Sequence, residues 1–402
     1  MKKVNIIHPE KSRMVFVGLS GGVDSAVSAA LLKKDGFNVT GVFIKAWTPE
    51  GYPCTWKEDR RSAMKVAAIL DIPFITLDLE KEYKKEVVDY MIAEYKTGRT
   101  PNPDVMCNKE IKFGHFLKFA LKNGANFVAT GHYAQISHSK LPRKVLEKSL
   151  ACATRRPEDF SERSFSGQLL EGKDKNKDQS YFLWTLTQEQ LKHILFPIGG
   201  LQKSEVRKLA DKFGLPQATR KDSQGLCFLG KVDMKEFLSR YMPPQKGNVI
   251  NENEEIIGTH NGALFFTIGE RHGFTITKKS EKEEPLYVTA KNIEKNTIMV
   301  ASIARKKLPL KKSSGLLAEA RPDFSIDNFL SGCSSVFLKD INITEKIPNK
   351  NLTCRIRYRQ EKIGCKMDRD KVTFNKSQMG VAPGQSLVLY QDEVCLGGGI
   401  IK

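Results

Sequence analysis

A short polar loop near the start of the chain has the residue types of a phosphate-binding site. Residues 20–25 read Ser-Gly-Gly-Val-Asp-Ser and directly follow an apolar run at 14–19. Two consecutive glycines let backbone amides turn toward an anion, and the helix predicted to begin at Ser25 adds the positive end of its dipole. The serines can donate hydrogen bonds, and Asp24 could help to hold a divalent cation beside a polyphosphate. The loop therefore indicates a site for nucleotide phosphates.

This loop differs from two common phosphate-binding motifs. It lacks the spacer and the Gly-Lys-Ser/Thr ending of a Walker loop, and Gly-x-Gly-x-x-Gly is absent. It is similar to the pyrophosphatase loop of enzymes that cleave ATP between the α and β phosphates and leave an adenylated substrate. An ordinary glycine-rich turn after a strand would require neither the acidic residue nor both hydroxyl groups.

A second polar segment places a cysteine near an acidic residue. Residues 98–109 read Gly-Arg-Thr-Pro-Asn-Pro-Asp-Val-Met-Cys-Asn-Lys, and the two prolines stiffen the backbone around Asn102 and Asp104. We expect Cys107 at or just before the start of a helix that begins at Lys109, where the helix dipole and nearby ammonium groups favour the thiolate. Asp104 is then a candidate general base. A buried structural cysteine would give the same pattern.

A second candidate cysteine lies 120 residues further along the chain. Cys227 is near the end of a polar loop at 218–228, and two thiols brought together near an adenylate indicate sulfur chemistry. One thiol can carry a persulfide and the other can resolve it as a disulfide. Cys54, in a loop rich in Pro, Gly and Tyr, is a weaker candidate. No Cys-x-x-Cys spacing occurs and the histidines do not cluster near the cysteines, so no zinc site is expected.

The elements that must position these residues alternate between strands and helices. We predict strands at 15–17, 39–44, 74–79 and 127–130, and helices at 25–34, 59–70, 80–95 and 109–121. This order predicts a doubly wound α/β domain with a mostly parallel sheet, whose ligands bind beyond the carboxyl ends of the strands. The phosphate loop, Ile44 and Gly131 would lie at that edge.

The sequence pattern changes twice in the rest of the chain. Residues 138–178 are rich in Lys, Arg, Ser and Glu and are interpreted as a surface insertion, after which helical patterns return at 180–195 and 204–213. Beyond residue 230, Gly and Pro turns separate short strand-like runs. We therefore predict a catalytic nucleotide-binding domain at 1–228 with an insertion at about 138–175, a central β-rich domain at 229–303 and a β-barrel at 304–402.

Two smaller patterns have both a functional and a structural interpretation. In a strand at 354–359, Arg355, Arg357 and Arg359 would share one face, which suits phosphate contacts but is also typical of a solvated barrel face. The segment at 177–180 opens a predicted helix, and its Asp178 or Ser180 could simply be the N-cap.

The composition favours a polyanionic partner. The net charge is +19, from 65 basic and 46 acidic residues, so nucleic acid is the first candidate and plain solubility is the alternative. Neither a signal peptide nor a membrane-spanning run is evident, and the cysteines do not form a disulfide scaffold. A reducing, cytoplasmic setting is expected.

Six segments together resemble the tRNA-specific 2-thiouridylases. They are residues 20–25, 100–113, 129–133, 177–182, 225–228 and 395–400. The Pro-Asn-Pro-Asp string with its cysteine is highly specific, whereas the Ser-Gly-Gly-x-Asp-Ser loop is shared with many relatives. The resemblance extends from about residue 14 to the C-terminus. It implies ATP-dependent transfer of sulfur to carbon 2 of the wobble uridine of tRNA, with release of AMP and pyrophosphate.

The same resemblance implies roles for individual residues. Asp104 resembles the acid/base residue, Cys107 the nucleophile that attacks the persulfide or the base, and Cys227 the persulfide carrier, with a transient disulfide between the two cysteines. ATP, with Mg²⁺, would be bound by Gly18, Leu19, Ser20, Gly21, Gly22, Val23, Asp24, Ser25, Ile44 and Gly131. The positions that match tRNA contacts are Asn102, Pro103, Asp104, Lys177, Asp178, Gln179, Arg357 and Tyr358.

The implied partners are tRNA and a sulfur-donor protein, such as a cysteine desulfurase or a sulfur relay protein, with no membrane and no tightly bound structural metal. Two other functions stay open. Another adenylating enzyme with the same loop, forming an amide or amine, would need an amine or ammonia source and not two thiols. A non-catalytic tRNA-binding protein would bind tRNA without releasing AMP.

Overall fold

A computed structural model describes residues 13–52, 56–138, 167–218, 220, 225, 227–230, 232–277, 285–302 and 332–402. The chain divides into two compact units. The first unit comprises Met1–Lys84, Val105–Gly230 and Glu393–Cys395, and the second comprises Lys85–Asp104, Lys231–Asp392 and Leu396–Lys402. Within the described ranges, no helix is both long enough and apolar enough to cross a membrane.

A parallel sheet lies at the centre of the first unit. Its first four strands are β1 (Met14–Gly18), β2 (Asn38–Lys45), β3 (Phe74–Asp78) and β4 (Phe127–Ala129). After a hairpin formed by β5 (Ala134–His138) and β6 (Gly167–Glu171), the chain adds β7 (Ile194–Leu195) beside β4. The resulting order is β3-β2-β1-β4-β7, with every pairing parallel.

Helices cover both faces of this sheet. The described helices of the chain are α1 (Val23–Lys34), α2 (Trp56–Ile69), α3 (Glu80–Tyr83), α4 (Tyr90–Lys96), α5 (Pro103–Met106), α6 (Phe116–Lys122), α7 (Gln188–Leu191), α8 (Lys203–Lys212) and α9 (Met234–Ser239). Val15 and Val17 of β1 pack in one core with residues of α1, α2 and α8. Phe16 points to the other face, where its ring lies 6.2 Å from that of Phe119 in α6. The doubly wound α/β prediction is thus confirmed.

Two predicted helices differ from the structure by more than three residues. The helix expected from Lys109 already begins at Pro103 and continues through a π-helical stretch, Cys107–His115, because proline is well suited to a first helical position. The predicted helix at 180–195 is a 3₁₀ turn (Ser180–Phe182), the short α7 and the strand β7. A Thr187–Gln190 capping box starts α7, while pairing with β4 makes the last residues a strand.

The second unit contains two β-rich parts. The central sheet is formed by β8 (Gly247–Ile250), β9 (Ile256–His260), β10 (Phe274–Ile276), β11 (Leu286–Asn292) and β12 (Thr297–Ser302). The barrel strands are β13 (Cys333–Ile343), β14 (Leu352–Arg355), β15 (Ile363–Asp368), β16 (Lys371–Gln378), β17 (Ser386–Gln391) and β18 (Val394–Ile401). Pairing of β13 with β18 closes the barrel, so the expected order of fold types is confirmed.

Two sequence patterns have a different outcome from the one expected. The predicted row of three arginines does not form, because β14 ends at Arg355 and Arg359 has a φ of +63°, outside the extended region. Part of the range predicted as a surface insertion, 138–175, has regular structure, since residues 167–171 are strand β6, which pairs with β5. Residues 139–166 and Cys54 lie outside the described residues.

Candidate functional site

The phosphate loop connects β1 to α1 in the first unit. Leu19 donates its amide to the carbonyl of Val42, which fixes the loop beside β2. Inside the loop, the Ser20 amide donates to Ser25 Oγ at 3.2 Å, and Ser25 Oγ donates to the Gly22 carbonyl at 3.1 Å. The loop is therefore held in shape by its own serines before any ligand binds.

Glycine at position 21 is required by the backbone and by its surroundings. Its φ is +78°, and an added Cβ would lie 2.6 Å from the Asp59 carbonyl oxygen. The Gly21 carbonyl accepts hydrogen bonds from Ser62 Oγ at 3.0 Å and from the Arg220 guanidinium at 2.9 Å. Arg220 also pairs with Asp59 at 2.6 Å. The start of α2 and Arg220 thus brace the loop from outside.

Gly131 and Ile44 lie beside the same sheet edge. Gly131, two residues after β4, packs directly on the start of α1, where an added Cβ would meet the Ser25 nitrogen at 2.7 Å. Ile44, near the end of β2, is 6 % exposed, so its side chain belongs mainly to the core. A contact of Ile44 with a nucleotide would therefore be made chiefly by its backbone.

Asp24, at the start of α1, has two partners in the first unit. Tyr133 donates its hydroxyl to Asp24 Oδ1 at 2.7 Å, and Lys203 Nζ lies 2.8 Å from each carboxylate oxygen. The carboxylate is thereby fixed at the mouth of the phosphate loop.

Two cysteines far apart in sequence meet in the first unit. The Sγ atoms of Cys107 and Cys227 lie 3.2 Å apart, although 120 residues separate them. Cys107 is fully buried and Cys227 is half-buried, and they are not joined by a disulfide. A pair of thiols in contact can exchange sulfur or close to a disulfide with little movement.

The segment that carries Cys227 is docked onto aromatic side chains. Tyr83 donates its hydroxyl to the Cys227 carbonyl at 2.6 Å, and its ring lies edge-on to Phe228 at 5.8 Å. Phe228 has a φ of +65°, an unfavourable conformation for a large side chain that the surrounding contacts must maintain. This turn directs the thiol of Cys227 toward Cys107.

The environment of Cys107 differs from the one expected. Because the helix begins at Pro103, Cys107 lies beyond the first four positions, whose unpaired amides supply most of the dipole effect. Of the nearby lysines, Lys109 pairs with Glu110 at 2.9 Å, and Lys112 Nζ lies 5.9 Å from the centre of the Phe228 ring. The contact with Cys227 is thus the main feature of the Cys107 site.

A buried histidine lies next to Lys112. His132 is 6 % exposed, and its Nε2 lies 3.4 Å from Lys112 Nζ while its Nδ1 lies 2.7 Å from Thr130 Oγ1. Burial, and secondarily the Lys112 charge, lowers the pKa of His132 well below its ordinary value. The ring is therefore neutral, with Nε2 accepting from Lys112 and Nδ1–H donating to Thr130.

We expect His132 to make the fold sensitive to acid. In the unfolded chain, His132 takes up a proton near pH 6.5, the ordinary value for His, whereas in the folded chain it stays neutral. The unfolding free energy is therefore highest above that pH and falls as the pH is lowered. Between about pH 6.5 and 5.5, the wild type should lose up to about 1.0 kcal/mol more unfolding free energy than His132→Gln. Urea denaturation at both pH values measures this difference. Equal pH slopes for His132→Gln and the wild type would contradict the prediction.

Three family models match consecutive parts of the chain. The model described as tRNA methyl transferase HUP domain matches residues 13–231, the tRNA methyl transferase PRC-barrel domain matches 235–302, and the Aminomethyltransferase beta-barrel domain matches 334–401. The tRNA-specific 2-thiouridylase MnmA of Streptococcus mutans is 41% identical over 401 residues, covering 97% of this chain and 95% of that protein. The protein of the same name from Nitrosomonas europaea is 40% identical, covering 97% and 98%.

This chain belongs to the tRNA-specific 2-thiouridylase family. The resemblance noted in the sequence is thereby confirmed. Among solved structures, the U34-tRNA thiolase NcsA from Methanococcus maripaludis is 16% identical with a TM-score of 0.33, covering 58% of this chain and 66% of that one. A likeness this distant carries no argument about function.

The positions that match tRNA contacts of 2-thiouridylases in the first unit are partly engaged in holding the backbone. Asp178 is 3 % exposed and accepts hydrogen bonds from the amides of Gly172 and Ser180 at 2.9 and 3.1 Å. Gln179 Oε1 accepts from the Tyr133 amide at 3.0 Å. The N-cap interpretation of Asp178 or Ser180 is wrong, because Gln179 is the N-cap of the 3₁₀ turn at Ser180–Phe182, and the Asp178 carboxylate instead holds the backbone before that turn.

The loop before α5 is anchored in the second unit. The Thr100 amide donates to the Pro383 carbonyl at 2.8 Å, and Gln385 Nε2 donates to the Thr100 carbonyl at 2.8 Å. Thr100 Oγ1 also contacts Thr267 Oγ1 at 3.2 Å. These contacts fix the approach to Asn102 and Asp104, which the 2-thiouridylase resemblance assigns to tRNA.

Arg357 is linked to the same part of the second unit. Its Nη2 donates to the Gly380 carbonyl at 2.6 Å, and an added Cβ at Gly269 would lie 3.1 Å from that nitrogen. Tyr358 lies next to Arg359, whose guanidinium is 5.0 Å from the Tyr358 ring centre. A guanidinium has five donors, so one bond to Gly380 is compatible with a further phosphate contact.

Sequence reasoning missed several residues of this candidate site. Tyr83 contacts Cys227, Lys203 contacts Asp24, and Arg220 contacts Gly21. Each pair is far apart in the sequence. Lys203 begins α8 in a capping box formed by Gln202 and Glu205. That local pattern predicts the start of a helix, but it does not indicate that the lysine reaches the phosphate loop.

Proposed function

We propose that this chain is a tRNA 2-thiouridine synthase that adenylates the wobble uridine and then replaces its oxygen at carbon 2 with sulfur. The main support for this proposal is the contact between Cys107 and Cys227, because two thiols 3.2 Å apart fit sulfur transfer and have no chemical role in amide formation. Membership of the 2-thiouridylase family supports the same conclusion.

The first step activates the base. A carbonyl oxygen is a poor leaving group, so attack of the uridine oxygen on the α phosphate of ATP releases pyrophosphate and leaves an adenylate that can be displaced. Amides of the loop from Gly18 to Ser25, with the start of α1, would bind the phosphates, and Ile44 and Gly131 would contact the nucleotide. Asp104 would act as the acid/base residue at the uridine.

The second step transfers sulfur. A persulfide on Cys227 supplies the outer sulfur, either by direct attack on carbon 2 or as hydrosulfide released when the Cys107 thiolate attacks the inner sulfur. Attack on carbon 2 expels AMP. In the direct route, the transferred sulfur stays bonded to Cys227 Sγ until the Cys107 thiolate attacks that Sγ and releases the thiouridine. Both routes therefore join Cys107 and Cys227 in a transient disulfide, which an external thiol must reduce before the next cycle.

A magnesium ion fits the phosphate loop. Among the described residues no group of three or more His, Cys, Asp or Glu side chains could hold a metal on its own. Mg²⁺ is commonly held by one or two carboxylates together with substrate phosphates, and Asp24 at the mouth of the loop is such a carboxylate. When bound, the ion would neutralise charge on the phosphates of ATP.

The remaining assignments are part of the same proposal. We assign tRNA contacts to Asn102, Pro103, Asp104, Lys177, Asp178, Gln179, Arg357 and Tyr358, and the sulfur source to a persulfide-bearing donor protein in the cytoplasm. The domains would be 1–228, 229–303 and 304–402. The family-model matches at 13–231, 235–302 and 334–401 support this division.

One reconstitution tests the function against its alternatives. Purified protein is mixed with ATP, Mg²⁺, a persulfide donor and unmodified tRNA, and the products are analysed by nucleoside mass spectrometry and nucleotide chromatography. We expect 2-thiouridine at the wobble position together with AMP and pyrophosphate. AMP with an aminated product would favour another adenylating enzyme, and tRNA binding without AMP would favour a non-catalytic protein.

Salt dependence of tRNA binding tests the role of Arg357. Each phosphate contact contributes about 0.7–0.9 to the slope of log affinity against log salt, so Arg357→Gln should reduce this slope by about that amount. Filter binding at several salt concentrations between about 50 and 300 mM measures this slope. Arg369→Gln, an exposed arginine in the turn after β15, is the matched control. An unchanged slope with reduced kcat would instead show that Arg357 acts by holding Gly380.

A further inference from the structure

Lys203 occupies an unusual place for a lysine at the start of a helix. It is the first residue of α8, yet its ammonium group turns to the phosphate loop and lies 2.8 Å from both oxygens of Asp24. Its side chain is 13 % exposed and that of Asp24 is 31 % exposed, so the pair is partly shielded from solvent. Nothing in the local sequence around Lys203 requires this contact, because Gln202 and Glu205 already cap the helix.

Asp24 is fixed by the protein, whereas Lys203 can turn. Tyr133 donates its hydroxyl to Asp24 Oδ1, and Gln179 binds the Tyr133 backbone on both sides, through its side chain at 3.0 Å and its amide at 2.8 Å. Gly131 packs against the Asp24 backbone, where an added Cβ would lie 2.8 Å from the carbonyl carbon. A lysine ammonium on four flexible carbons has three donors that rotate freely.

ATP binding would change the balance of charges around Asp24 in the phosphate loop. Loop amides and the α1 dipole attract phosphate, but the Asp24 carboxylate would repel it unless a cation neutralises the carboxylate. In this structure Lys203 is that cation. When a polyphosphate with its divalent cation enters, the cation can take over Asp24 and leave the ammonium group to the phosphate oxygens.

We propose that Lys203 is a phosphate-binding residue for ATP, held on Asp24 in the empty site and transferred to the phosphates when ATP binds. This inference rests on the proposed use of ATP. Tyr133 is a positioning residue that keeps Asp24 in place during the exchange. The alternative is that Lys203 only neutralises Asp24 and never contacts the nucleotide.

A double-mutant cycle separates the two roles. The dissociation constant of a non-hydrolysable ATP analogue with Mg²⁺ is measured by calorimetry for the wild type, Lys203→Gln, Asp24→Asn and the double variant. A charged hydrogen bond to phosphate predicts about 30-fold weaker binding for Lys203→Gln, and a similar loss when the same change is made in Asp24→Asn. If Lys203 only neutralises Asp24, the double variant will bind as tightly as Asp24→Asn, which overturns the inference.

Two controls make the cycle decisive. Lys173→Gln removes a lysine that pairs with Glu205 at 3.3 Å near the start of the same helix, and it should bind the analogue like the wild type. Circular dichroism verifies that each variant is folded. Wild-type protein that binds no adenine nucleotide would refute the proposed function itself, a result distinct from a double variant that matches Asp24→Asn.

Discussion

Replacing either Cys107 or Cys227 with serine should abolish 2-thiouridine formation while leaving adenylation of the tRNA intact. The two sulfur atoms are in contact, so each variant removes one member of a pair that must act together. A hydroxyl neither carries a persulfide nor resolves one, and loss of a nucleophile typically costs about 10³-fold or more. Thionucleoside yield by mass spectrometry and tRNA-dependent exchange of pyrophosphate into ATP measure the two steps separately.

A buried cysteine elsewhere provides the matched control for this prediction. Cys333 in β13 donates its thiol to the Ser335 carbonyl at 2.8 Å, a bond that serine can also make, so Cys333→Ser should retain full thiolation. A single-turnover assay with wild type should also yield a Cys107–Cys227 disulfide, detected by peptide mapping, because both routes of sulfur transfer end in this bond. Full thiolation by Cys107→Ser and Cys227→Ser would refute the proposed chemistry and favour an amine-forming enzyme.

A single methyl group at Gly21 should weaken ATP binding strongly. Gly21→Ala introduces a Cβ at 2.6 Å from the Asp59 carbonyl oxygen, so the loop must move, and its φ of +78° adds strain. Displaced amides lose their hydrogen bonds to phosphate, and losing two such bonds predicts about 100-fold weaker binding or more. Calorimetry with a non-hydrolysable analogue measures the affinity.

The substitution Gly36→Ala is a control that separates backbone strain from steric clash. Its φ is +86°, but an added Cβ there has nothing within 4 Å. Gly36→Ala should therefore cost about 1–2 kcal/mol of folding stability and leave ATP affinity unchanged. Wild-type affinity for Gly21→Ala, measured on folded protein, would show that the loop does not bind the phosphates.

The parts of the site that depend on a few adjacent residues were predictable. The Ser-Gly-Gly-Val-Asp-Ser string specifies a tight turn between a buried strand and a helix, and the structure has this arrangement between β1 and α1. Strand and helix periodicity between residues 14 and 134 likewise gave the parallel sheet. Each of these features is decided by backbone preference and by burial of one local face.

The predictions of secondary structure that were wrong concern segments in which tertiary contacts outweigh the intrinsic conformational preference of the residues. Residues 194–195 have a helical context but pair with β4 because the edge of the sheet offers unpaired backbone groups. The arginines at 355, 357 and 359 alternate as in a strand, yet the chain turns after Arg355 and Arg357 binds the Gly380 carbonyl. Short segments have too little intrinsic preference to resist such contacts.

The order of amino acids is enough to identify the chemical groups: a phosphate loop, an acidic residue beside a cysteine, a second cysteine and an excess of positive charge. Which of these groups meet depends on the folded chain, which brings Cys107 to Cys227, Lys203 to Asp24 and Arg220 to Gly21. Contacts between residues so far apart depend on strand order, on register and on packing summed over the whole unit, and no local pattern encodes them.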